Sequence, residues 1–355
     1  MNLSDVISNL VEERGLDKAT LDDIVCEGML GAYQKKYPNT AFKVCFDKNS
    51  GELEVFAEKE VVATVEDEDS QISSRKAKAI ETKSSIGDKI WVPFDGSIGR
   101  VEILKAKQII AQMIRDVEAR EIYNAFKGKA GSVVVGTVHK CERGGALVML
   151  QDVLAFLPNS LSIPGERCVP GYPIRALLKE VHEEPRGDNQ LILDRASSEF
   201  LKNLFELEIP EVFEKLVEIK NVARAAGYKS KVVVSSNDPN IDPVGTCVGV
   251  GGARIKPILK ELGGEKIDII SWNSAKDALV RDSLKPAEIN RVEIVGDRIA
   301  KVWLDEDQRS VAIGKMGQNI RLASQITGLT IELMTNSAKT DTAIADVEFA
   351  DSEEK

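Results

Sequence analysis

The strongest constraint on this chain is an internal repeat in its final third. Two Gly-x-x-Gly tetrads, Gly249-Val250-Gly251-Gly252 and Gly314-Lys315-Met316-Gly317, lie 65 positions apart. The spacing of apolar and turn residues predicts the same order of elements around each. A leading helix comes first, then two strands, a helix, the tetrad, a second helix and a closing strand. The predicted strands are 217–222, 231–235 and 266–271 in the first copy, and 291–295, 300–304 and 330–334 in the second. A single tetrad is a common turn, but repetition of a whole order of elements marks a duplicated structural unit.

Two glycines without Cβ let the backbone turn tightly between helices and let a ligand approach closely. The second helix starts at the loop, so its free N–H groups and positive dipole end favour a phosphate there. KH domains use this arrangement to clamp about four nucleotides of a single strand. The expected RNA-contacting residues are Gly249, Val250, Gly251, Gly252 and Arg254 in the first copy. In the second they are Gly314, Lys315, Met316, Gly317, Gln318, Asn319 and Arg321. Arg254, Lys315 and Arg321 either add cationic contacts or belong to solvated helix faces. Dinucleotide binding is a poor reading: Gly249-Val250-Gly251-Gly252-Ala253-Arg254 lacks the last glycine of G-x-G-x-x-G and follows a predicted helix, not a strand. Neither loop carries the G-K-[ST] of a P-loop.

Ahead of the repeat, residues 131–197 predict five short strands separated by Gly/Pro turns, an OB-type barrel of the kind whose open face binds single strands. Phe156 and Tyr172 are its candidates for base stacking, and each could equally pack in the core. Residues 1–128 predict an α+β domain. It has a helix from Thr20 to about Lys36, two strands at 41–46 and 52–57 joined by a hairpin turn, and a long helix from Val101 to Phe126. The expected architecture is therefore multidomain α+β, comprising an N-terminal domain (1–128), the barrel (131–197), two tandem type II KH domains (198–276 and 277–335) and an acidic disordered tail (336–355).

The formal net charge of -10 argues against nucleic acid only if it is spread evenly. It is not: residues 1–128 hold 18 basic and 23 acidic residues, and the last 20 residues hold 2 and 6. The middle of the chain is near neutral, so RNA binding there has to come from local geometry and a few placed cations. Five scattered cysteines with no C-x-x-C pair argue against a disulfide framework or zinc site, and predict reduced cytosolic thiols. Two histidines leave little for metal or nucleophile-plus-base chemistry, so no enzyme, metal or cofactor is expected. No secretory signal or apolar stretch of membrane-spanning length is evident, which predicts a soluble, cytoplasmic protein.

Three long strings resemble the NusA family of bacterial transcription elongation factors. They are Ser236 to Gly249 (SNDPNIDPVGTCVG), Gly264 to Ile269 (GEKIDI) and Ala312 to Gln325 (AIGKMGQNIRLASQ). The order of N-terminal domain, barrel, KH and KH agrees over about residues 1–335. The resemblance implies a non-enzymatic, monomeric factor. Its first domain would dock on core RNA polymerase, and its barrel and KH pair would bind the nascent single-stranded RNA. It also implies effects on pausing, intrinsic termination and antitermination, the last with other Nus factors and a ribosomal protein. Gly251 and Met316 depart from it, since family members often carry a basic residue at the first position and a basic or polar one at the second. A ribosome-associated RNA-binding protein and a subunit of an RNA-decay enzyme are the alternatives. The second is disfavoured because 128 residues are too few for a phosphorolytic core and because the barrel precedes the KH pair.

Overall fold

A computed structural model describes residues 18–47, 53–65, 67, 70–94, 96, 100–186 and 189–335. The expected tail (336–355) and the hairpin turn near 48–52 lie outside the described residues. The chain divides into two compact units, 1–122 and 123–355.

In the first unit, helix α1 (Lys18–Lys36) precedes strands β1 (Phe42–Phe46), β2 (Leu53–Val62) and β3 (Gln71–Ser73). Short helix α2 (Ser74–Ile80), strand β4 (Lys89–Pro93) and the long helix α3 (Arg100–Phe126) follow. Helix α1 is described from Lys18 onward, so the predicted start at Thr20 lies within it. Strand β2 is ten residues long and serves three partners. It pairs antiparallel with β1 and β4 and parallel with β3. Leu21, Ile24, Val25, Met29, Ala32 and Tyr33 recur at helical spacing on α1 and bury against Phe42, Ala57 and the Ala106, Ile110, Ile114 stripe of α3.

The second unit opens with a closed five-stranded barrel of β5 (Val133–Glu142), β6 (Gly145–Leu150), β7 (Val153–Pro158), β8 (Pro173–Arg186) and β9 (Asn189–Asp194). Alternating Val148, Leu150, Ala155, Leu157, Leu178, Leu191 and Leu193 fill it.

Two three-stranded units follow. The first comprises α4 (Ser198–Glu208), α5 (Pro210–Phe213), β10 (Val217–Ala225), β11 (Lys229–Ser236), α6 (Pro243–Val248), α7 (Ile255–Glu261) and β12 (Lys266–Ser271). The second comprises α8 (Lys276–Ser283), β13 (Arg291–Val295), β14 (Ile299–Leu304), α9 (Glu306–Ile313), α10 (Gln318–Thr327) and β15 (Thr330–Thr335). In each the middle strand runs antiparallel to the first and parallel to the last. This is the type II KH topology, present twice.

The two sheets differ in how they are covered. Val232 and Val234 of β11 face the core made with α4, α6 and α7. Val233, between them, faces the opposite way and packs with Ala223 and Ile270 against Leu279, Leu322 and Ile326 of the second unit's helices. The first KH sheet is thus buried on both faces. β14, by contrast, alternates buried and half-buried residues along its length.

One expectation is corrected. Cys141 and Cys168 form a disulfide, with Cα atoms 6.0 Å apart. The end of β5 runs beside the loop between β7 and β8, held by Gly171 N–H to Val138 O (2.7 Å) and Val138 N–H to Tyr172 O (2.9 Å). That contact joins residues 27 positions apart, which spacing alone does not reveal. Closing a loop of this length stabilises by roughly 3 kcal/mol. Replacing both cysteines with serine should lower the unfolding free energy of the oxidised chain by about that amount in a denaturant titration. An unchanged midpoint would contradict the link.

Candidate nucleic-acid interface

The two tetrads adopt one conformation. Their first glycines have φ/ψ of 71°/167° (Gly249) and 74°/175° (Gly314), a region essentially closed to residues with a Cβ. The third positions, Gly251 (60°/20°) and Met316 (55°/26°), are both left-handed, and so are the fourth. Met316 carries this conformation at a cost of about 1 kcal/mol that Gly251 avoids. A Cβ on Gly249 would lie 2.9 Å from Arg254 Cγ, and one on Gly314 would lie 2.7 Å from Asn319 Cβ. The first glycine of each loop therefore packs on the residue five positions later.

Those two residues turn inward. The Arg254 guanidinium donates to Thr246 O (2.9 Å), on the preceding helix α6, and pairs with Glu211 at 2.7 Å. The Asn319 amide donates to Ala312 O, on the preceding helix α9, and to Leu284 O, both at 3.1 Å. Each braces its loop against the helix before it. The tips point outward: Val250 is 96% and Met316 87% exposed. Gly251, Lys315 and Arg321 are exposed as well, whereas Gly252, Gly317 and Gln318 are half-buried.

The cation that sequence reasoning missed is Lys256. It is exposed, and its stem runs beside Gly252, where a Cβ would meet Lys256 Cε at 3.5 Å. The signal was the 65-residue offset itself, which pairs Arg321 with Lys256 and Asn319 with Arg254. Lys256, Lys315 and Arg321 have no carboxylate partner among the described residues. Phe156 of the barrel is half-buried between Leu147 of β6 and Ile192 of β9, whereas Tyr172 is largely exposed.

A polar network fixes the second loop to the first KH sheet. Lys229 Nζ donates to Asn319 Oδ1 (3.2 Å) and pairs with Asp268 at 2.7 Å. Lys231, fully buried, pairs with the same carboxylate at 2.8 Å and reaches Lys285 O. Burial raises the Asp268 pKa, but hydrogen bonds and charge from Lys229 and Lys231 outweigh it and hold the carboxyl below its usual value. Burial pulls the Lys231 pKa down, and Asp268 offsets that in part.

Two KH units bearing matched loops, behind a closed barrel, define a tandem-KH protein of the nucleic-acid-binding class. Residues 2–120 match the NusA N-terminal domain, 195–272 the NusA-like first KH domain and 276–341 the NusA-like second KH domain. The chain is 36% identical to the transcription termination/antitermination protein NusA of Thermus thermophilus over 341 residues, covering 92% of this chain and 88% of that one. It is 34% identical to the protein of that name from Bacillus subtilis, covering 99% and 95%. The Rickettsia conorii protein of that name is 36% identical, covering 93% and 67%. The chain belongs to the NusA family.

Gly314→Ala should destabilise the second KH unit by about 2–3 kcal/mol, because both the backbone region and the Asn319 contact oppose a Cβ; denaturant unfolding measures it. Asp268→Asn should cost about 3 kcal/mol by leaving buried Lys231 without a carboxylate. The lowered pKa means the contribution of Asp268 is complete above the ordinary aspartate value of about 4 and is lost as pH falls through the depressed folded value. Stability measured against pH should show this acid component in the parent chain and lose it in the variant.

Proposed function

We propose that this chain is a NusA-type transcription factor that holds nascent single-stranded RNA on its two GXXG loops while its first unit docks on core RNA polymerase. The observation that carries the RNA half is the shared backbone conformation of the two loops and the matched placing of an exposed cation after each. Each offers an outward tip, a following helix start and an exposed cation, Lys256 or Arg321, at the same offset. Phosphate favours such a place, and bases can lie on the apolar tip residues.

Gly249, Val250, Gly251 and Gly252 would form the first contact, and Gly314, Lys315, Met316 and Gly317 the second. Gln318 and Arg321 would flank the second loop. Arg254 and Asn319 would serve mainly as braces, and Phe156 would contribute a partial barrel surface. The residue spans 1–128, 131–197, 198–276 and 277–335 are the corresponding working units, with an acidic tail after them.

Named relatives are termination/antitermination proteins, and the function inferred for this chain is the same. It would modulate pausing, intrinsic termination and antitermination without catalysis, in the cytoplasm, as a monomer. It would act with other Nus factors and a ribosomal protein when antitermination complexes assemble. The described residues contain no helix long and apolar enough to cross a membrane and no group of three or more candidate metal ligands.

The test is a pair of loop variants measured for RNA affinity by anisotropy. Val250→Asp with Gly251→Asp, and Lys315→Asp with Met316→Asp, should each weaken binding of a single-stranded RNA at least tenfold. The unfolding midpoint should change little in the second variant, and fall in the first by no more than the roughly 1 kcal/mol that a side chain at the left-handed position 251 costs. Undiminished affinity in both variants would refute the loop assignment. Co-purification of core polymerase with residues 1–128 tests the polymerase half, and its failure would refute that half alone.

A further inference from the structure

A cavity of about 580 Å³ lies between the barrel and the first KH unit, away from both loops. Pro257 and Lys260 of α7 form one wall, Leu157 and Ile174 of the barrel another, and Arg167 and Tyr172 of the β7–β8 loop a third.

A gap between domains is often a hinge, but this one is braced. The Arg195 side chain, 1% exposed, sits at its floor. It holds Glu166 of the loop through two hydrogen bonds (2.6 and 3.0 Å) and Glu261 at the end of α7 at 2.7 Å. It also donates to the carbonyls of Arg175 and Glu261. One guanidinium thus ties barrel, loop and KH unit together. The Cys141–Cys168 disulfide anchors the same loop to β5. The cavity is therefore pre-formed, at a size and place where small-ligand sites occur.

The charges at the cavity are sorted. Glu142 pairs with Lys140, Glu166 with Arg195, and Glu261 with Arg195 and Arg175. Arg167 and Lys260 are exposed and have no partner among the described residues. Tyr172 is 66% exposed on the rim. A flat aromatic face and two unengaged cations around a cleft of mixed polar and apolar lining suit one class of ligand: an unpaired nucleotide, with its base stacked and its phosphate between the cations. Position agrees. The α7 helix, about 10 Å long, starts beside the first loop and has Lys260 in its last turn. A strand held at that loop reaches the cavity by following one short helix.

We propose that this cleft is a nucleotide subsite, with Tyr172 as its stacking residue and Arg167 and Lys260 as its phosphate contacts. It extends the strand held by the KH loops toward the barrel. The proposal rests on the chain being an RNA binder, and the experiment separates the two.

The full-length chain is titrated with fluorescent oligouridylates of 4 to 16 nucleotides at several salt concentrations. Tyr172→Ala should weaken binding of the longer oligomers about fivefold or more and leave the shortest unchanged, while Tyr172→Phe should bind as the parent does. Arg167→Ala with Lys260→Ala should reduce the salt slope by about 0.7, the value for one neutralised phosphate on a single strand. The backbone bonds of Tyr172 survive these changes, and an unchanged melting temperature verifies the fold. If the aspartate loop variants lose RNA but Tyr172→Ala and the double alanine variant bind every length normally, the cleft proposal is overturned and the loop reading stands. If Tyr172→Ala instead weakens only co-sedimentation with polymerase, the cleft is a protein-docking surface and the proposal is equally overturned. If the parent chain binds no oligomer, both readings fall.

Discussion

The carboxylate of Asp268 is the point on which the second half of this protein turns. It takes Lys229 and Lys231 from the neighbouring strand of the first KH sheet, and Lys229 passes the interaction to Asn319 beside the second loop. Lys231, fully buried, would be left an uncompensated charge without this carboxylate, so the carboxylate and the packing require each other. Around it, Val233 and Ile270 of the first KH domain meet Leu322 and Ile326 of the second KH domain. The two loops are thereby held in one fixed relation, and their separation does not depend on a flexible linker.

That rigidity gives a near-neutral surface a way to bind a polyanion. Neither loop carries a dense basic field: the first offers Lys256 and the second Lys315 and Arg321. On the proposed reading, each is a weak clamp alone. Once one loop holds a strand, the other sees it at high local concentration, and the two affinities multiply if the strand spans both. Arg254 and Asn319 contribute by spending their hydrogen bonds on the loop's own geometry, which lowers the ordering cost of binding.

Much of this was readable before the structure. The 65-residue repeat carried the KH order, the loop positions and the strand placements, because glycine demands and apolar periodicity are local properties. What was not readable is long-range. Asn319 follows a loop in sequence, and only the fold brings Lys229 to it. Arg254 looked like a free cation, yet Glu211 lies 2.7 Å away. The disulfide needed a strand and a distant loop to run side by side. One local signal of the packing between the KH domains is the continuous apolar run Val232-Val233-Val234, which fits a strand buried on both faces. The offset that pairs Lys256 with Arg321 is likewise present in the sequence.

On the proposed function, the two loops act on one strand as a fixed pair. The most direct measurement is RNA affinity against oligomer length, for the parent chain and for the Lys315→Asp, Met316→Asp variant. Such a pair requires a steep rise in parent affinity at the length that first reaches both loops, and its disappearance in the variant. A smooth rise with length, the same in both proteins, would contradict it.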